Sequence, residues 1–566
     1  MNHATIKATQ FYANGYTNNS IVGIDQFGRT VRPTLGLREG DHQVGMFYYL
    51  HRGNAGNGIY DISKILQLED GYNKLLYQDC PESPANNTHW WGEPLYGYYN
   101  AREKWVIRRH LELFAYSGID FIMIDGTNGS SHDFALMNVM EVIRDLIKEG
   151  MNPPKVAMYT NVESPRQITE LYEQFYKVGF CKESWYCLDG KPLIVGAELD
   201  QLSEEIREFF TFRDSQWPTF EFNDNGFPWV EFEYPAKPHN GIMNVAVSAN
   251  TKIHYSYYFT QPEYNWSWGK GWDVNLQKNI HEDAARGTYY QSTWDVALEA
   301  DPRIIFCTQW NEWTAQKNRF SWEGKNYGFV DVATMEFSRD MEPMKGGYND
   351  AFVIQTALNA RKFKSVLIPE GESLNYRPVD GKNIRWEEIA AIFRAWGTKN
   401  LERDYPAFGP PMQYKQEAAR NNVVEIRVAM DDDHVYFYLK STDPITAYEA
   451  GDSTWMNLFI GTGNVAGKGW ESYEYVVNRS ILGDGIGSVE KLNEDFTGTQ
   501  VGTAAHTVEG NTMTISVPRA AIGLESGYAF YFKFADHITT PSDIMDYYLS
   551  GKSLPVGRFS FQYLGE

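Results

Sequence analysis

The chain has 566 residues, more than one hydrophobic core accommodates, so two or three domains are expected. A formal net charge of −22 disfavours nucleic acid and anionic membrane surfaces as partners, and 43% apolar with 22% charged residues argues against wholesale disorder. Aromatic residues reach 15%; amphipathic rings suit either bulky cores or the C–H faces of sugars, and composition leaves the two readings level.

Residues 1–40 are polar and weakly patterned, and read as an N-terminal arm packing on the domain after it. The opening Met1-Asn2-His3-Ala4 has no signal-peptide core, so the chain is either cytoplasmic or separated from such a signal. Val44–Leu50 is a dense apolar run, as a strand buried on both faces would be. Helical periodicity follows over 101–117, stopped by Gly118, and then a second buried strand, Ile119–Asp125. A helix over 133–148, a strand at Lys155–Thr160, a helix near 165–178 and a strand at Pro192–Gly196 continue the alternation. Phe210–Arg213 and Met243–Val247 read as strands five and six. A helix over 283–299, a strand at Arg303–Thr308 and a helix over 348–363 follow, with Phe329–Phe337 as the candidate eighth strand. Repeated β-then-α units imply a parallel sheet, and their number with long loops suits a closed barrel. The expected fold is α/β: a (β/α)₈ TIM barrel over 41–370, then an all-β sandwich over 371–566. In the latter, strands such as Val423–Ala429 and Val435–Leu439 recur without helices, and Asp431–His434 reads as a hairpin turn.

The four cysteines form no CxxC pair. Cys181 and Cys187 are near enough to bridge a short loop; free thiols are equally open. No apolar run reaches the length of a membrane span. HExxH, GxSxG and dinucleotide-binding fingerprints are absent from suitable positions, so no metal and no cofactor is expected.

In such barrels reacting groups project from the C-terminal ends of strands. Glu312 lies just past Arg303–Thr308, in Gln309-Trp310-Asn311-Glu312-Trp313. Two large rings, an amide and a charge in succession suit a sugar pocket that needs a carboxylate better than a loop built for folding alone. Asp125 ends the second strand, although Gly126 and Asn128 also fit a carboxylate closing an Asx turn. Asp214, Glu198 and Glu163 follow other strands, where helix capping is the plainer role. Glycosidic cleavage generally uses two carboxyl groups, so Glu312 is paired with Asp125 or Asp214 as candidate catalytic residues. Candidate sugar contacts are Gln309, Trp310, Asn311, Trp313, His51, Trp90, Trp91, Asn161, Trp217 and Trp268. Trp90 and Trp91 lie in the long segment after the first strand, and Trp268 in the Tyr264–Trp272 loop after Met243–Val247.

Trp310-Asn311-Glu312-Trp313, with Val44–Tyr48 and Gly118–Ile122, resembles the glycoside hydrolase family 99-like barrels related to endo-α-mannosidases, over roughly 41–365. The resemblance implies a glycosidase whose Asn-Glu-Trp motif supplies an active-site glutamate. In that family a second glutamate, serving as general acid/base, follows three residues later; here the position is Ala315, so the mannosidase activity does not carry over. Barrels of another clan carry an Asn-Glu pair on their fourth strand, whereas this pair sits late. The region 376–566 is similar to family 9-type carbohydrate-binding sandwiches, through Val435–Tyr438, Trp455–Gly461 and Trp470–Arg479. Trp455 is expected to be structural and Trp470 packed. That layout implies a secreted or periplasmic, monomeric glycoside hydrolase acting on an oligo- or polysaccharide, with no nucleic-acid partner. A non-catalytic glycan-binding protein on a degenerate barrel is the alternative.

Overall fold

The computed structural model describes residues 8–15, 18–51, 58–249, 255–256, 267–322, 324–330, 333–369, 374, 376–462 and 468–565. Eight parallel strands form the centre of the first half: β1 Gln43–Tyr48, β2 Phe121–Gly126, β3 Lys155–Thr160, β4 Lys191–Gly196, β5 Thr211–Gln216, β6 Gly226–Pro228, β7 Ile242–Ala246 and β8 Ile304–Thr308. Among the described residues, the helices that pack around it include α1 Lys104–Ser117, α2 Asp133–Lys148, α3 Ser164–Leu171, α4 Glu204–Phe209, α5 Thr288–Ala300 and α6 Ala351–Lys364.

The strands read as continuous apolar runs because both faces are covered. One face packs on the helices: Val44, Met46, Ile122, Ile124, Val156 and Ile194 belong to the large outer core. The other fills the barrel: Phe47, Phe121, Met123, Ala157, Val195, Phe227, Ile304 and Phe306 form a separate inner cluster. Gly45 faces inward beside Phe121, and a Cβ there would sit 2.3 Å from the Phe121 Cζ, so this position has room only for hydrogen. Helix α1 ends where Gly118 takes φ 78°, a left-handed turn that glycine adopts without a steric penalty.

Backbone ladders join β8 to β1 and every other neighbouring pair except β6 and β7. There the Asn244 side chain points inward and donates to the Pro228 and Trp229 carbonyls at 3.2 and 3.1 Å. Thr308 Oγ1 donates to the Trp229 carbonyl at 2.7 Å. Side chains thus close the seam that strands leave open.

This corrects the strand assignment at two places. Met243–Val247 belongs to the seventh strand, since Gly226–Pro228 is the sixth; three residues ending in proline carry no period to read. Phe329–Phe337 is not a barrel strand: Lys325–Val330 pairs antiparallel with Thr314–Trp322, which in turn pairs with Thr88–Trp90.

After α6 the chain forms an antiparallel β domain. Strands 423–430 and 434–441 make the expected hairpin, with Met430 opposite Val435. The N-terminal segment joins this domain's sheet: Ile21–Gly23 pairs antiparallel with Phe559–Phe561. Asp350, just before α6, accepts from Arg558 Nε at 2.8 Å and from the Tyr548 hydroxyl at 2.8 Å, tying barrel to β domain. Arg403 grips Glu103, at the start of α1, through two hydrogen bonds. Trp455 and Trp470 are both buried packing rings. All four cysteines are free, Cys187 exposed and Cys181 buried. No helix among the described residues is long and apolar enough to cross a membrane.

Candidate functional site

The segment after β8 turns inward across the barrel mouth. The Thr308–Gln309 peptide is cis. Asn311 is fully buried: its Oδ1 accepts from Tyr49 N at 2.8 Å, and its Nδ2 donates to Tyr49 O at 3.2 Å and the Tyr99 hydroxyl at 3.0 Å. An amide that reads one donor and two acceptors in this way locks the motif to the end of β1. Beneath it, Glu342 accepts from Tyr99 (2.8 Å), from His110 (2.9 Å) and from the Trp313 indole, all without solvent contact.

Glu312 itself stays at the surface of this assembly, its side chain 16% exposed. Its Oε2 receives the Gln309 amide nitrogen and the Arg339 guanidinium, the latter at 3.4 Å. Gln309 in turn accepts the Tyr49 hydroxyl on Oε1 at 2.8 Å. The main-chain N–H of Glu312 donates to Asp340 at 2.5 Å. Asp340 also accepts from the Trp91 indole at 3.0 Å. Burial pushes the Asp340 carboxyl above the usual carboxylate range, opposed by the charge of Lys270 and by those hydrogen bonds. The Arg339 guanidinium lies 5.6 Å from the Trp229 ring centre, and Trp229 meets Trp217 edge to face at 4.8 Å. Trp217 and Trp229 are half-buried, at the ends of β5 and β6.

The two proposed partners of Glu312 face opposite ways. Met123 and Phe121 point into the barrel, so Asp125, on the same parity, does too; continuing the Tyr48–Ile124 register sets it beside Tyr49. Its Oδ1 accepts the Thr127 amide and hydroxyl at 3.0 and 2.7 Å, an Asx turn inside the mouth. Asp214 pairs in register with Gly196, and its neighbour in parity, Phe212, packs on the outer core. Asp214 therefore faces the helical layer and is not part of the mouth. Ser215 is the inward residue of that strand, and its hydroxyl donates to Asn161 at 2.5 Å.

The aromatic candidates divide similarly. Trp90, Trp91, Trp310 and Trp313 offer almost no ring surface, since each is at most 2% exposed. They are corrected from sugar platforms to packing: an indole is the largest apolar side chain available, and the loop spanning the mouth is held by burying four of them. Trp268 packs on Trp272 and Tyr289 and remains half-buried. Tyr264 and Trp266 of the same loop lie outside the described residues. His51 Nε2 bonds the Thr314 hydroxyl at 2.7 Å, beside the motif. Ala315 sits in a strand, packed with Ile62, Leu75 and Phe329. Glu163 is a surface residue paired with Arg166. Tyr49, Trp229, Arg339, Asp340 and Lys270 were missed. The first lay in plain view in a buried run; the others stand in stretches without period. Among the described residues, no group of three or more His, Cys, Asp or Glu could hold a metal.

Comparison with known proteins gives structural similarity alone. The GH99 endo-alpha-mannosidase from Bacteroides thetaiotaomicron aligns at 13% identity over 58% of this chain and 98% of that one, with a TM-score of 0.34. A glycoside hydrolase-like protein aligns at 13% identity over 58% and 95%, with a TM-score of 0.32. A family 9 carbohydrate binding module from Caldicellulosiruptor kristjanssonii aligns at 10% identity over 34% and 83%, with a TM-score of 0.15. No protein-family profile matches the chain, and no curated protein sequence matches it.

Proposed function

We propose that this chain is a glycoside hydrolase cleaving glycosidic bonds in an oligo- or polysaccharide, with Glu312 as one reacting carboxylate. One observation carries the reading: past the C-terminal end of β8, a partly exposed carboxylate is held between an amide whose own orientation is fixed and a buried guanidinium. Groups held that way need little reorganisation when charge develops on a substrate. Glu312 acts as nucleophile or base, and Asp125, inward at the end of β2, is the proposed proton donor to the leaving oxygen. Trp217 and Trp229 offer half-buried rings to the C–H faces of a sugar. The test is a panel of purified glycans with product analysis. Glu312→Gln is expected to lower turnover of a cleaved glycan by about a hundredfold or more; an unchanged rate sinks the proposal.

A second reading is favoured by two observations. Ala315 is packed in a core, and one Asp125 oxygen is committed to its own turn. A barrel that binds glycans without cleaving them would give saturable heat in calorimetry and no product from the same panel.

A further inference from the structure

We propose that Asp340, backed by Lys270, is the positioning residue that sets the Glu312 carboxylate, which rests on the reading of Glu312 as a reacting group. Three donors from two separate segments converge on the one Asp340 carboxylate. They are the Glu312 main-chain N–H at 2.5 Å, the Trp91 indole at 3.0 Å and the Gln309 amide nitrogen at 3.5 Å. Gln309 reaches Asp340 and Glu312 with the same nitrogen. Its oxygen is taken by the Tyr49 hydroxyl, so only one orientation of the amide satisfies all partners. Asp340 thus fixes both the backbone that carries Glu312 and the amide that holds its carboxylate.

Asp340 can serve as an anion in the interior because Lys270 lies behind it. Lys270 is fully buried, donates to the Ser338 carbonyl and to the Ser338 hydroxyl at 2.8 Å, and faces the rings of Trp91, Tyr348 and Phe352 at 5.4–5.7 Å. Trp91 stands between the two charges, its N–H on the anion and its π face toward the cation. Glu312 and Arg339 face Asp340 from the motif side, and Glu336, itself bonded to His281, faces Lys270. Desolvation lowers the Lys270 ammonium, opposed by the charges of Asp340 and Glu336, and raises the Asp340 carboxyl. A proton gained by Asp340 turns one acceptor oxygen into a donor facing N–H groups, and the hold on Glu312 loosens.

The test uses the full chain and two readouts. The near-ultraviolet circular dichroism of the Trp91–Trp313 pair is expected to show an acid transition in the wild type, above the usual carboxylate range. In Asp340→Asn that transition is lost. In Lys270→Met it moves to higher pH, because removing a nearby cation disfavours the carboxylate. Glu312→Gln keeps the transition while turnover falls by about a hundredfold or more, which separates this proposal from the hydrolase reading. On a glycan the wild type cleaves, Asp340→Asn is expected to lower kcat about tenfold or more with KM within about threefold. A wild-type transition or wild-type kcat in Asp340→Asn overturns the proposal. If that variant does not fold, an unmoved transition in Lys270→Met overturns it instead.

Discussion

Trp91 lies flat against Trp313, ring centres 4.1 Å apart and 18° from parallel. One indole donates to Asp340 and the other to Glu342, so the stack joins the two buried carboxylates under the motif. Trp313→Ala is expected to destabilise the protein by about 3–5 kcal/mol, the range for emptying a buried aromatic site. Trp313→Phe keeps most of the ring and loses the donor to Glu342, for roughly 1–3 kcal/mol. Chemical denaturation of both variants checks the order; equal losses would contradict it.

Glu342 and His110 are both without solvent contact. Glu342→Ala strips His110, Tyr99 and Trp313 of their common acceptor, and a loss of about 3–5 kcal/mol is expected. Glu342→Gln retains an oxygen and should cost less. A melting temperature for Glu342→Ala within a degree of wild type would show that the network is not what holds the motif.

Gly45→Ala places a methyl group against the Phe121 ring inside the barrel. The expected cost is about 1–3 kcal/mol, from overpacking. Phe121→Leu in the same chain should recover part of it, giving a non-additive double-mutant cycle. Simple additivity would place the strain elsewhere.

The seam between β6 and β7 depends on Asn244. Asn244→Ala removes the side-chain donor to the Pro228 carbonyl and leaves the Trp229 carbonyl to Thr308 alone, at a cost of about 1–3 kcal/mol. Hydrogen exchange should rise locally around 226–230, and a uniform change across the barrel would contradict a seam held at this point.

His89 has its proton fixed by its surroundings. Lys317 donates to the Ser83 hydroxyl at 2.9 Å, Ser83 bonds His89 Nε2 at 3.0 Å, and His89 Nδ1 bonds the Asn87 carbonyl at 3.0 Å. Ser83 therefore donates, and the ring is neutral with its proton on Nδ1. Burial depresses its pKa to about 4. A depressed folded-state pKa contributes stability that is present above the unfolded value near 6.5 and lost as pH falls through about 4. The loss over that window is on the order of 3 kcal/mol. His89→Gln should flatten the stability profile between about pH 6.5 and 4; a slope equal to wild type would assign the acid sensitivity to other groups.

Much of the barrel was legible locally. Val44–Leu50 and Ile119–Asp125 read as strands because both of their faces are buried, and α1 and α2 showed their period, α1 also its stop at Gly118. The carboxylate after β8 was equally plain, because an amide and a charge between two indoles is not what a core strand contains. Sequence alone therefore determined the parallel β/α order and placed Glu312 at a strand end. Only the tertiary structure decided which way Asp125 and Asp214 face, because a side chain's direction follows from the register of its neighbours and one residue of parity reverses it. It also decided which indoles are covered, and that Asp340 lies behind Glu312 with Trp91 between it and Lys270. Burial and charge pairing between segments far apart in the chain leave no periodic trace in either one.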